Sequence, residues 1–147
     1  MTAIAIYVEG GGDKTTQKAE LRLGFDSLLN PVKSMAREKG LGWKLVLGGS
    51  RRETYEAFIH AVTTNPEVIN ALLVDAEEPF ANAAGNAVPP AVARVGHLRR
   101  RDAWDLSAVA PERVHLMVQC MEAWIVADVD ALGQFYGQHF RPKVKPR

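Results

Sequence analysis

The run Ala3–Asp13, AIAIYVEGGGD, decides how this chain folds. Its first six residues are apolar without alternation, which is typical of a strand in a parallel sheet whose two faces are covered by helices. Glu9 ends this strand, and three glycines follow. Ligands bind at the carboxyl ends of the strands in open α/β sheets. A carboxylate at this position, before a glycine turn, therefore predicts a ligand-binding site at the carboxyl end of the first strand.

The rest of the chain alternates between apolar runs and segments with helical periodicity. This order predicts an α/β protein, a three-layer Rossmann-like domain with a mainly parallel sheet of about four strands. One domain is expected to span residues 1–147. Three later strands are predicted at residues 43–47, 68–74 and 114–120, with a loop over 78–88, a short helix from about Pro90 and a last helix over 121–135.

Composition limits the classes of function. A chain of 147 residues that is 47% hydrophobic can bury a full core. Its net charge of +1 supplies no global attraction for nucleic acid, so such binding would need a local basic patch. A single cysteine, Cys120, excludes an internal disulfide framework. Without a basic leader or an apolar run of about 20 residues, we expect no membrane segment and a cytoplasmic location.

Acidic residues follow the third predicted strand as Glu9 follows the first. Asp75 and Glu77 are separated by one residue, and alternation along an extended segment would point both carboxylates to one side. If the two strands are neighbours, about 4.8 Å apart, the three acids can share one Mg²⁺ or Mn²⁺ ion. A solvated turn acid or a helix cap is the alternative for each acid alone. Glu122, after the fourth strand, is predicted as a further metal ligand, with stabilisation of the helix dipole as its alternative.

Basic residues supply candidate phosphate contacts. Arg51 and Arg52 follow a second glycine turn, where Ser50 is predicted to cap a helix. Phosphate binding and simple solvation stay equally open for this pair. The densest basic run is interpreted as a loop that could follow a nucleic-acid backbone, although Asp102 and Asp105 partly neutralise it. That run contains Arg94, His97, Arg99, Arg100 and Arg101.

The acids at two strand ends resemble the Toprim fold of topoisomerases, primases and OLD-type nucleases. Longer segments of the sequence resemble, more specifically, an uncharacterised bacterial Toprim-like family that carries a domain-of-unknown-function label. Members of that family are often encoded beside an AAA-type ATPase in defence loci. The segments that carry this resemblance are YVEGGGD, ELRLGFDSLL, GGSRRETYEAF, LLVDAE, HLRRRDAWDL and HLMVQCMEAWIVADVDALGQFYGQHF.

The resemblance implies a Mg²⁺- or Mn²⁺-dependent nuclease that cleaves DNA or RNA, with Glu9 as general acid/base or metal-shell glutamate and Asp75 and Glu77 as the metal pair. It departs from the Toprim pattern at Glu77, which replaces an aspartate, and at Pro79, where a third aspartate would stand. A further C-terminal helical region of the family is expected to be missing. The alternative is a non-catalytic subunit that binds an AAA-type ATPase. Self-association into a homo-oligomer stays open.

Overall fold

The computed structural model describes residues 2–10, 15–78 and 90–118, together with positions 130, 133, 134 and 137. The predicted loop over 78–88 and the predicted last helix lie almost entirely outside these residues. The elements in chain order are β1 (Ala3–Glu9), α1 (Thr15–Leu28), α2 (Asn30–Glu38), β2 (Gly42–Gly49), α3 (Arg51–Thr64), β3 (Ile69–Asp75), α4 (Ala91–Asp102), a 3₁₀ turn (Pro111–Arg113) and β4 (Val114–Met117).

The four strands form one open, all-parallel sheet in the order β2-β1-β3-β4. The α/β prediction is therefore confirmed, and the part of the chain that the structure describes contains four strands, as expected. β1 lies between β2 and β3, and its register pairs Val8 with Leu73 on β3. The ends of β1 and β3 are consequently adjacent, as the acidic pattern requires.

Helices pack against both faces of the sheet, which explains why the strands are apolar without alternation. On one face Tyr7, Phe58 and Leu72 belong to a buried cluster with residues of α3 and α4. On the other face Val8 and Phe25 belong to a smaller cluster against α1. The domain is thus a three-layer arrangement, and successive β1 residues serve opposite layers. Among the helices that the structure describes, none is long and apolar enough to cross a lipid bilayer.

The turn from β2 into α3 is fixed by local chemistry that the sequence predicted. Ser50 is the N-cap of α3: its hydroxyl accepts from the amide of Glu53, whose carboxylate accepts from the amide of Ser50. Gly48 has no room for a side chain, because a Cβ there would lie 2.1 Å from Oγ1 of the buried Thr54. Together these contacts fix the direction in which Arg51 leaves the sheet.

The basic run is not the loop that the sequence analysis expected. Residues 91–102 form α4, with Arg99, Arg100 and Arg101 in the last turn. Cations at this end of a helix interact favourably with the helix dipole, which explains why a run of arginines is compatible with a helix here. Ala103 ends the helix in a left-handed conformation, with φ of 56°.

Candidate metal centre

Three carboxylates meet where β1 and β3 end. Glu9, Asp75 and Glu77 each offer a ligand atom, and these atoms lie within 4.8 Å of one another. Carboxylate oxygens at this spacing are the donors that a hard divalent cation takes in proteins. The three residues predicted as metal ligands from these strand ends are therefore brought together.

The side chain of Glu9 is more enclosed than that of Glu77, at 13% exposed against 42%. Its Oε2 accepts from the amide of Asp75 at 3.1 Å and from Nη1 of Arg51 at 3.0 Å. Burial is the largest influence and raises the pKa of Glu9, whereas the charge of Arg51 opposes this rise without cancelling it. A carboxylate with a raised pKa is a better proton acceptor near neutral pH than an exposed glutamate.

Arg51 forms an ion pair with Glu9 that we call the inner pair. Besides Glu9, Nη1 donates to the main-chain carbonyl of Asp75 at 2.6 Å. Nε and Nη2 donate to the two carboxylate oxygens of Asp102 at 2.9 and 2.8 Å. The Arg51 and Glu9 side chains are only 14% and 13% exposed, so the inner pair is nearly closed to solvent. Only a guanidinium has the fork of donors that satisfies all these acceptors at once.

Glu77 forms the outer pair with Arg101, whose Nη2 donates to Oε2 of Glu77 at 2.8 Å. The two side chains are more exposed, at 42% for Glu77 and 24% for Arg101. Glu77 does not continue the strand, because its φ is 61°, in the left-handed region. Alternation along an extended chain is thus not the reason that its carboxylate lies near Asp75. A left-handed turn brings it there.

The residue before Glu77 explains how this turn is held. Ala76 is fully buried, and its amide donates to the carbonyl of Met117 at 3.0 Å. Its own carbonyl lies 2.8 Å from Nε2 of the buried His97. His97 belongs to the basic run in sequence, yet it supports the metal centre from within the fold. Contacts on both sides of Ala76 therefore oppose relaxation of the strained residue that follows.

Asp102 joins the inner and outer pairs. Its Oδ1 accepts from Nε of Arg51 at 2.9 Å and from Nη1 of Arg101 at 2.6 Å. Burial tends to raise the pKa of Asp102, but the hydrogen bonds and charges of the two arginines outweigh it and keep that pKa below its ordinary value. One carboxylate thus orients both arginines that face the metal ligands.

The other predicted site residues lie farther out or outside the described residues. Arg52 is 85% exposed on α3 and pairs with Glu56 one turn along. Arg99 and Arg100 are exposed at the end of α4. Glu122 lies outside the described residues. Phosphate binding by these arginines stays a prediction. Arg51 differs from Arg52, Arg99 and Arg100, because four of its five N–H donors are used within the protein.

Three residues beside the metal centre were not predicted as site residues from the sequence. They are Asp102, Trp104 and Tyr55. Trp104 lies under the guanidinium of Arg51, with Cζ 5.0 Å from its ring centroid, and stacks on Tyr55 at 4.4 Å between centroids. The segment HLRRRDAWDL contained the available signal, because an aspartate and a tryptophan directly after three arginines can both bind a guanidinium.

Comparison with known proteins identifies a family for this chain. Residues 8–147 match the family described as "Domain of unknown function (DUF4276)". Because the match spans nearly all of the sequence, the chain belongs to this family. No curated protein and no solved structure shows significant similarity to the chain.

Proposed function

We propose that this DUF4276 protein is a Toprim-like, Mg²⁺- or Mn²⁺-dependent nuclease that hydrolyses phosphodiester bonds. The observation that carries the proposal is the convergence of Glu9, Asp75 and Glu77 at the carboxyl ends of two neighbouring parallel strands. DNA or RNA is the proposed substrate, and a bacterial defence-type system with an AAA-type ATPase partner is the proposed setting.

The charge balance supports a divalent cation at this centre. Four carboxylates, those of Glu9, Asp75, Glu77 and Asp102, surround the guanidinium groups of Arg51 and Arg101. When all six groups are ionised, two negative charges remain, which one divalent cation would neutralise. Bound Mg²⁺ or Mn²⁺ would supply Lewis-acid activation of water and charge neutralisation at the scissile phosphate.

The residues of the chain then have separable tasks. Glu9 accepts the proton of the attacking water, because its pKa is raised and because, among the described residues, Arg51 and the Asp75 amide both bind Oε2 and not Oε1. Arg51 is a positioning residue that holds Glu9 in place. Arg101 is the arginine better suited to contact a substrate phosphate, since its pair with Glu77 is open to solvent.

A cleavage assay tests this proposal. Single-stranded and duplex DNA and RNA are incubated with the protein and Mg²⁺ or Mn²⁺, with and without the neighbouring ATPase. Asp75→Asn is the matched control, because it removes one ligand charge with little change in volume. Metal-dependent cleavage that is lost in the control supports the nuclease, and its absence under every condition contradicts it.

Metal binding can be measured separately by thermal unfolding. At a Mn²⁺ concentration about 100 times the dissociation constant, binding to the native state adds about 2.7 kcal/mol of stability. The melting temperature of a domain this size should rise by several degrees, and the rise should be absent in Asp75→Asn. An equal rise in the control would assign the cation to another site.

A second candidate, a non-catalytic subunit of an ATPase complex, is favoured by a different surface. Large apolar side chains are exposed on α1 and α2, and two of them, Leu28 and Val32, line one cavity. Exposed apolar patches commonly mark protein interfaces. The exposed fractions are 71% for Leu23, 57% for Leu28, 46% for Val32 and 58% for Met35. A stable complex with the ATPase that cleaves nothing, with a wild-type protein that binds no metal, would support this candidate.

A further inference from the structure

We infer that the cavity beside the metal centre is a subsite for one unpaired nucleobase. The cavity has a volume of about 380 Å³. Its lining residues are Arg51, Arg52, Tyr55, Glu56, Asp102 and Trp104. This inference rests on the proposed function only in supposing that the phosphate attached to the base is the one hydrolysed.

The cavity has an aromatic wall that is held in place. The rings of Tyr55 and Trp104 are stacked, with 4.4 Å between centroids and 8° between planes. The hydroxyl of Tyr55 donates to the carbonyl of Asp105 and accepts from its amide, both at 3.1 Å. Because Tyr55 and the guanidinium of Arg51 both lie over the Trp104 ring, the face of Tyr55 turned away from Trp104 is the surface assigned to the ligand. A fixed planar surface stacks a planar ligand without first losing side-chain entropy, so it favours a nucleobase over a flexible apolar group.

Charged groups around the aromatic wall match the rest of a nucleotide. Arg52 and Glu56 lie at the exposed rim and pair with each other at 2.7 Å, but the pair is open to solvent, at 85% and 56% exposed, and can exchange partners. A guanidinium there can bind a flanking phosphate, and a carboxylate can accept from the amino or imino groups of a base. The cavity volume lies within the range of about 300 to 1,000 Å³ typical of small-molecule sites.

The cavity and the metal centre share Arg51 and Asp102. Arg51 contacts Glu9 and also lines the cavity. A base in the cavity therefore has its own backbone near the metal ligands. Bases inside a duplex are stacked and cannot reach such a wall, whereas those of a single strand can. The inferred substrate class is a single strand, or a strand with one base turned out of its stack.

Binding of labelled strands in EDTA tests this subsite apart from catalysis. An eight-residue DNA strand is compared with an abasic strand of the same length by fluorescence anisotropy. Repulsion from the metal-free acids affects both strands equally, so the ratio of the two affinities measures the contribution of the bases to binding. One stacked base should make the base-containing strand bind about 5 to 150 times more tightly. Equal affinities would overturn the inference.

Variants of the wall show where the bases bind. Tyr55→Ala should remove most of that preference while leaving binding of the abasic strand unchanged. Tyr55→Phe keeps the ring and should retain the preference. An undiminished preference in Tyr55→Ala, or its loss in a folded Tyr55→Phe protein, would overturn the assignment to this cavity.

A second measurement does not depend on the folding of Tyr55→Ala. Adenosine should quench the tryptophan fluorescence of the wild type, whereas ribose should not. Trp104→Phe retains an aromatic wall but should lose this quenching, and undiminished quenching in that variant would overturn the inference. Cleavage without base preference would leave the nuclease proposal standing and reject the subsite. Base-dependent binding without cleavage would support the subsite and reject the nuclease proposal.

Discussion

The inner and outer pairs use the same chemistry in different surroundings. Each joins an arginine to a carboxylate of the metal centre, and Asp102 contacts both arginines. The inner pair has side chains 14% and 13% exposed, against 24% and 42% in the outer pair. A closed ion pair costs much to break, whereas one open to solvent exchanges partners easily. The inner pair therefore sets the shape of the site, and the outer pair is the part that can change partners.

The largest contrast is expected in stability. Arg51→Met leaves Glu9 and Asp102 as enclosed charges without their guanidinium and should lower the free energy of unfolding by about 3 to 5 kcal/mol. Arg101→Met should cost less than about 1 kcal/mol, because Glu77 is open to water and Asp102 keeps both hydrogen bonds from Arg51. Urea denaturation measures both losses, and Arg52→Met on the exposed pair with Glu56 is the control. Equal losses at Arg51 and Arg101 would abolish the distinction between the pairs.

The next largest effect is expected in cleavage activity, where Glu9 and Glu77 should differ. Glu9→Gln removes the proton acceptor and should lower metal-dependent cleavage by about 100-fold or more at every metal concentration. Glu77→Gln removes a metal ligand, so its activity should recover as Mn²⁺ is raised. Cleavage rates across a Mn²⁺ titration make this comparison. Recovery of Glu9→Gln to the same extent would assign Glu9 to metal binding alone.

The residue that joins the pairs should make stability depend on pH. The pKa of Asp102 lies below its ordinary value of 3.8 in the folded protein, so the stability it contributes is present above pH 3.8 and is lost as pH falls through the lower folded-state pKa. Asp102→Asn should cost about 2 kcal/mol at neutral pH. The difference from wild type should shrink below pH 3.8, as measured by denaturation across pH. A constant difference would mean that packing, and not charge, is what Asp102 contributes.

The smallest expected effect concerns the salt dependence of nucleic-acid binding. Arg99→Ala together with Arg100→Ala should flatten the log–log slope by about two units if both contact phosphates. Arg101→Ala should flatten it by about one further unit only when Mn²⁺ occupies the centre, because Glu77 then releases Arg101. Anisotropy titrations at several salt concentrations measure these slopes. An unchanged slope in the double variant would leave Arg99 and Arg100 as solvated residues.

The sequence predicted those features that depend on local pattern and strand order. Unbroken apolar runs predicted a parallel sheet, and acids after two of them predicted the meeting of Glu9 with Asp75. The position of Glu77 could not be derived in this way, because its left-handed backbone depends on contacts of Ala76 with β4 and α4. The surroundings of Arg51 depend on Asp102, 51 residues away, and although the local pattern around Asp102 indicates that it can bind a guanidinium, it does not indicate which one.

The strand order also has a consequence for how the chain folds while it is being synthesised. β1 lies in the middle of the described sheet, yet it precedes both of its neighbours in the chain. Both edges of β1 are unpaired until Gly49 has left the ribosome, and one edge is unpaired until Asp75 has followed. Exposed apolar surface and unpaired strand edges of this kind favour aggregation. The acids of the metal centre assemble only after this exposed stage has passed.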